Sequence, residues 1–189
     1  MVRINKVITR SGDSGSTAVL GKGRISKASQ RIEAMGTVDE LISWIGLAKC
    51  EVAKIPKSAE IAKLLKEIQN DLFDLGSELA AAAEVKTPLP VTSKMILALE
   101  KATEKYNKNL PALTSFILPG SSSLNAWLHI SRSVTRRAER QVVKLNSENS
   151  INPLIQIYLN RLSDLFFVLS RKISLLEETQ EVLWDNRKK

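Results

Sequence analysis

IAKLLKEIQNDLFDLGSEL, residues 61–79, places Ile61, Leu65, Ile68, Leu72, Leu75 and Leu79 at alternating steps of four and three. At 3.6 residues per turn that spacing puts all six on one stripe of a helix, the seam by which helices pack on helices. Ser58 precedes the stretch as a candidate N-cap. Upstream, a helix is expected from Ala28 to about Ala53, with Ile32, Val38, Leu41, Ile45 and Val52 among its apolar positions. Ile55-Pro56 ends it, because a residue before proline resists the helical region. Downstream, TPLP at 87–90 breaks the chain, and Thr92 opens a third helix through Met95, Ile96, Leu99 and Tyr106. LPALTSFILPG, residues 110–120, reads as a loop with unusual apolar content. A fourth helix is expected from about Ser122 to Leu145, and Asn152-Pro153 is a good N-cap and first-turn pair for a fifth. The expected fold class is all-α, a five-helix bundle forming a single domain over 1–189. Within it, 1–27 is a Gly/Ser-rich N-terminal loop or short strand pieces, 28–180 the bundle and 181–189 a tail, of which WDNRKK (184–189) is expected to be mobile.

The 189 residues suit one domain with one sizeable core, and 43% hydrophobic with 25% charged residues is ordinary for a soluble globular chain. One cysteine, Cys50, excludes an internal disulfide framework and a Cys-rich metal site; in an apolar helical stretch it reads as a small buried hydrophobe. No apolar run is long enough to cross a bilayer, and the first residues lack a signal-peptide pattern. Functional-looking residues begin at Thr9, which argues against a transit peptide, so the expected location is cytoplasmic.

The net charge of +8 is concentrated. Residues 1–31 hold seven Lys/Arg against one Asp, residues 131–145 hold five against one Glu, and the other 143 sum to −2. Two foci far apart in sequence suggest an anion held between them rather than a diffuse polyanion surface. In the second focus, SRSVTRRAERQVVKL, one face of the helix carries Leu128, Ser131, Thr135, Ala138, Val142 and Leu145 toward the core. Ser133, Arg137, Arg140 and Lys144 lie roughly opposite as a solvated face. Arg132, Arg136 and Glu139 form a stripe at the core's edge, with His129 nearby. That stripe is either a set of helix-surface ion pairs, worth a few tenths of a kcal/mol each, or an anion clamp, for which Arg suits phosphate geometry. In the first focus, TRSGDSGSTAVLGKGRISK (9–27) offers glycines, hydroxyls and Lys27. Such a turn can cradle phosphate with its N–H groups, yet it is not a Walker A loop, since Gly23 stands where the metal-binding Ser/Thr would be. Phe116, on the residues alone, reads as a plug for the bundle's end.

Taken together, TRSGDSGST (9–17), Lys27, RIEAMGTVDE (31–40), FILPG (116–120), RSVTRRAER (132–140) and NRLSD (160–164) resemble, in order and over nearly the whole chain, the PduO-type ATP:cob(I)alamin adenosyltransferases. The resemblance implies a homotrimer with active sites between subunits. It implies transfer of the 5′-deoxyadenosyl group from ATP, with Mg²⁺, to the Co(I) centre of a corrinoid such as cobalamin, forming adenosylcobalamin and triphosphate. Thr9, Arg10, Ser11, Gly12, Thr17 and Lys27 would bind ATP from the N-terminal loop, and Arg136, Arg137, Glu139, Arg140 and Asn160 from the last two helices. Asp39 and Arg132 would bridge subunits, and Phe116 would lie under the corrin and keep its lower axial ligand away. An electron-donating reductase is implied as a partner; nucleic acid and membrane are not. Arg10, Ser11, Ala28 and Ser121 depart from the family's usual Lys, Thr, Asp and Gly. The rival readings are a non-catalytic corrinoid or ATP carrier or sensor, and a basic helical polyanion-binding module. The last is disfavoured because no aromatic residues interleave with the basic stripe.

Overall fold

Apolar periodicity resolves into five helices among the described residues. The structure, a computed structural model, describes residues 8–21, 23–82, 85 and 87–185. The helices are α1 (Gln30–Val52), α2 (Ala59–Leu79), α3 (Ser93–Asn107), α4 (Ser123–Glu148) and α5 (Pro153–Leu176). The strands are β1 (Ser16–Val19), β2 (Gly23–Ser26), β3 (Ile117–Leu118) and β4 (Val182–Leu183). α4 packs between α1 and α5, α2 lies against α1, and α3 against α5. All six seam residues of α2 are buried, as are Leu124, Leu128, Ser131, Thr135, Ala138, Val142 and Leu145 of α4. The buried hydroxyls of Ser131 and Thr135 donate to the carbonyls of Trp127 (2.9 Å) and Ser131 (2.7 Å), so neither is left unpaired in the core.

Caps explain the helix starts. Asn152 accepts from the Leu154 N–H at 3.0 Å, and Ser122 from the Asn125 N–H at 3.1 Å. Ser58 does not cap; its hydroxyl turns back and donates to Val52 O and Ile55 O, closing the end of α1 instead. The end of α2 is served by buried Arg31, which donates to Leu79 O (2.6 Å) and Ala81 O (2.7 Å), a cation where the helix leaves its carbonyls open.

Two of the remaining expectations need correction, those for Cys50 and for the tail. Cys50 is exposed, because it falls on the outer face of α1, between the core residues Ala48 and Val52. The N-terminal segment holds the short strand pieces expected of it, as an antiparallel hairpin with Ser16 opposite Ser26 and Val19 opposite Gly23; residues 1–7 and 22 lie outside the described residues. The tail is hydrogen-bonded as far as it is described, Trp184 of the WDNRKK stretch included. β4 pairs with β3, Leu183 opposite Ile117 and Val182 opposite Leu118, and the Trp184 N–H donates to Phe116 O at 2.6 Å. Residues 186–189 lie outside the described residues.

Candidate functional site

The N-terminal turn is built to bring backbone close to a cation. Lys27 folds over Gly12, where a Cβ would lie 2.8 Å from its Nζ, and the Lys27 N–H donates to Gly15 O at 2.9 Å. Gly15 has φ +77°, open to glycine at little cost. Thr9 and Ser11 hydroxyls are paired at 2.9 Å, and Arg10 has φ +57°. Arg24 on β2 holds the turn: its guanidinium donates to Ser16 O (2.8 Å), Ser16 Oγ (3.1 Å) and Ser11 O. Thr17, Lys27 and Asp39 open on one largely apolar cleft of about 520 Å³, floored by Met35, Gly36 and Leu72.

A second cluster sits on α4 and α5. Arg136, Glu139 and Arg140 line a groove of about 480 Å³ with Lys144 and Ser147. Glu139 pairs with neither Arg132 nor Arg136; its Oε1 accepts from Asn160 Nδ2 at 3.1 Å. Asn160 is oriented in turn by Arg161, which donates to Asn160 Oδ1 (2.8 Å) and to Glu100 (2.9 Å). Arg136 and Arg140 are exposed. Arg137 points the other way, to an ion pair with Glu40 of α1, and that guanidinium holds the Glu40 carboxyl below the usual range. Glu40 also accepts from Trp44 Nε1 at 3.2 Å, and Trp44 stacks on Trp127 with centroids 5.6 Å apart.

The third cluster surrounds Phe116. Its ring is 77% exposed, so it is no plug for the bundle. It borders a cavity of about 790 Å³ with Ile117, His129, Arg132, Phe167 and Trp184. The Arg132 guanidinium lies over the Phe167 ring at 5.6 Å, a cation–π contact. His129 is 5% exposed, and its buried Nε2 has no hydrogen-bond partner among the described residues. Burial, and then the charge of Arg132, push its pKa down to about 4, so the imidazole is neutral at pH 7.

Within one chain, then, Thr17, Lys27 and Asp39 share a cleft, Arg136, Glu139, Arg140 and Asn160 share another region, and Phe116 and Arg132 share a cavity. Asp39 makes no ion pair with Arg132 in the chain. Sequence reasoning missed Arg24, Phe167, Trp184 and Asn125. Asn125 is buried on α4, accepts from the Gly120 N–H (2.9 Å) and donates to Ser170 O (3.2 Å) and Ser174 Oγ (3.1 Å). A polar residue at a core position of the α4 stripe was the available signal. Among the described residues no group of three His, Cys, Asp or Glu could hold a metal ion, and no helix is long and apolar enough to cross a membrane.

Comparison with known proteins bears on the same residues. The family model described as "Cobalamin adenosyltransferase" matches residues 7–173. The chain is 43% identical over 169 residues to the corrinoid adenosyltransferase of Bacillus subtilis, covering 89% of this chain and 86% of that one. It is 42% identical over 186 residues to the cobalamin adenosyltransferase of Cupriavidus metallidurans, covering 98% and 97%. Among solved structures, a phenylalanine-to-alanine variant of the PduO-type ATP:corrinoid adenosyltransferase from Lactobacillus reuteri, complexed with cobalamin and ATP, superposes with a TM-score of 0.89. That match is at 38% identity and covers 96% of this chain and all of that one. By sequence along nearly its whole length and by fold, the chain belongs to the cobalamin adenosyltransferase family.

Proposed function

We propose that the chain transfers the 5′-deoxyadenosyl group of ATP to the cobalt of a reduced corrinoid. The electron pair of Co(I) attacks the ribose C5′, a Co–C bond forms, and the C5′–O bond breaks with its pair leaving on triphosphate. Such a nucleophile needs no activating base, and the chain's single histidine is neutral and buried. The observation that carries the reading is the match over 96% of the chain to a structure solved with cobalamin and ATP. The cation-lined groove on α4 and the cavity under Phe116 are the complementary surfaces such a pair of substrates requires.

Thr9, Arg10, Ser11, Gly12, Thr17 and Lys27 bind the nucleotide from one pole. Arg136, Arg137, Glu139, Arg140 and Asn160 bind it from the other. Lys27 and the arginines neutralise charge gathering on the departing triphosphate, where fixed cations act without reorganisation. Mg²⁺ would arrive on ATP as part of the substrate and would help offset the charge gathering on the departing triphosphate. Arg137 reaches the nucleotide only by releasing Glu40. Phe116 lies under the corrin and excludes the lower axial ligand, which eases formation of Co(I) from cob(II)alamin. The protein tunes the cobalt and the corrinoid carries the reaction.

The two poles open on separate clefts of one chain. A homotrimer resolves this, with Asp39 of one subunit against Arg132 of the next and each site completed by a neighbour. A cytoplasmic location, a reductase supplying the electron, and a single domain over 1–189 complete the reading. The test is anaerobic: purified chain, chemically reduced cob(I)alamin and Mg-ATP, followed by visible spectroscopy. Adenosylcobalamin forms with wild type, and Arg136→Ala slows it at least ~10²-fold, the usual scale for removing one preorganised charge. Absence of product despite ATP binding would sink the reading in favour of a carrier or sensor. Wild-type kinetics in Arg136→Ala would remove that residue from the site.

A further inference from the structure

Phe116 is placed by its backbone, since an exposed ring has little packing to hold it. The backbone of its loop is anchored at three points. At the start, Arg171 Nη2 donates to Pro111 O at 2.8 Å. At the end, the Gly120 N–H donates to Asn125 Oδ1 at 2.9 Å. In the middle, β3 pairs with β4, the Trp184 N–H donates to Phe116 O, and the Ser115 hydroxyl donates to Trp184 O at 2.8 Å. The Trp184 ring meets Phe116 edge-on, with centroids 6.2 Å apart.

The middle anchor leads back to the first. Arg171 is 5% exposed, and its Nε faces both oxygens of Glu181 at 3.3 Å, immediately before β4. One buried guanidinium thus joins the start of the loop to the segment that pairs with the loop's centre. The planar fork of arginine can serve a carbonyl and a carboxylate in fixed directions at once; a lysine cannot. The turn into the segment is also hydrogen-bonded, with the Thr179 N–H donating to Ser174 O at 2.9 Å.

We infer that Arg171 and Trp184 are positioning residues for Phe116, and that residues 179–185 belong to the corrinoid side of the site. The inference rests on the corrinoid role of Phe116 proposed above. Neither residue need touch the cobalt. Each fixes the height and tilt of the ring that keeps the lower ligand away, so its loss acts on the reduction of cob(II)alamin rather than on ATP.

The test uses the full chain as wild type, Trp184→Ala, Arg171→Lys and Phe116→Ala, and as Trp184→Ala combined with Phe116→Ala. Three quantities are read: the rate of adenosylcobalamin formation from cob(II)alamin with a reductant, the KM for ATP, and the electron paramagnetic resonance signal of bound cob(II)alamin freed of its lower ligand. Trp184→Ala should slow the reaction roughly 5- to 20-fold, within the range a displaced positioning group costs. The ligand-free cobalt signal should fall with it, and the KM for ATP should stay within about twofold. On the Phe116→Ala background, the same substitution should cost less than about twofold, because residues acting through one group are not additive. Arg171→Lys should lose activity in the same direction, with the cobalt signal falling in parallel. If it does not fold, Trp184→Ala on its half-exposed residue still decides. An equal loss in both backgrounds, or an unchanged cobalt signal, overturns the inference while wild-type turnover leaves the proposed reaction standing. A wild type that makes no adenosylcobalamin overturns the reaction and this inference with it.

Discussion

The two ends of the candidate site are fixed by different means. The Phe116 loop is tied by hydrogen bonds that span long stretches of sequence, from Arg171 to Pro111, Asn125 to Ser170, and Trp184 to Phe116. The N-terminal turn is tied mainly to its own hairpin, through Arg24 to Ser11 and Ser16 and through Lys27 to Gly15. That hairpin meets the bundle at its far end, where the Leu20 N–H donates to Ala80 O at 3.0 Å and the Ala82 N–H to Leu20 O at 2.8 Å. Long-range anchors form only when the bundle has folded and open only with it, whereas local anchors can yield one at a time. On the proposed reading, the corrinoid side is therefore preorganised by the fold, and the nucleotide side keeps a shape that bound ATP would tighten.

The largest effect expected from this contrast comes from Asn125→Leu. It removes one buried amide and its three hydrogen bonds. The Gly120 N–H loses its Asn125 acceptor, while Ser170 O and Ser174 Oγ keep each other at 3.2 Å and Ser174 keeps Ser121 Oγ at 2.7 Å. Losing the buried amide's bonds costs about 1–3 kcal/mol in all, enough to lower the melting temperature by several degrees. Calorimetry should show that loss together with a collapse of cob(II)alamin turnover. An unchanged melting temperature would mean the loop is not coupled to the bundle, and the comparison would break at its stronger side.

Arg24→Ala probes the weaker side. Arg24 is exposed, so global stability should change by no more than about 0.5 kcal/mol. The turn loses three hydrogen bonds, and the KM for ATP should rise about tenfold with the corrinoid KM unchanged, corresponding to ~1.4 kcal/mol. A fall in melting temperature comparable to that of Asn125→Leu would show the turn to be as deeply anchored as the loop.

The helices were legible because a period of 3.6 survives without knowledge of partners: the α2 seam and the α4 stripe are buried as spaced. Residues whose role depends on a distant partner were not. Nothing near Trp184 in sequence indicates Phe116, and Arg171 sits within an apolar helix whose period says nothing of Pro111 or Glu181. Cys50 was misread because its apolar neighbours suggested burial, though its register puts it outward. The α4 arginines show the same limit. Spacing put Arg136, Arg137 and Arg140 on two faces, but only the fold reveals that Arg137 is engaged by Glu40 while Arg136 and Arg140 remain on the groove. The family motifs name the candidate ligand-facing residues, and leave silent those that hold them in place.

The smallest expected effect belongs to a contact that anchors neither the turn nor the loop, and it serves as the reference for both. Tyr158 on α5 donates to Asp71 Oδ2 of α2 at 3.0 Å. Burial raises the Asp71 pKa above 3.8, with the negative charges of Asp74 and Glu67 adding to it and the Tyr158 hydrogen bond opposing. A carboxyl whose folded pKa is raised binds more protons in the folded state between the unfolded and folded values. Its contribution to stability is therefore greatest below pH 3.8 and declines as pH rises through the folded pKa. At neutral pH the buried charge is a net cost. Asp71→Asn keeps an oxygen for the Tyr158 hydroxyl and removes that charge, so the variant should match or slightly exceed wild-type stability at pH 7. The advantage should vanish as the pH is lowered toward 4. Neither the ATP KM nor cob(II)alamin turnover should move, because this contact anchors neither the turn nor the loop. A shift in either one would show that strain in the middle of the bundle reaches the site, and the separation between a preorganised end and an adjustable one would have to be redrawn through α5.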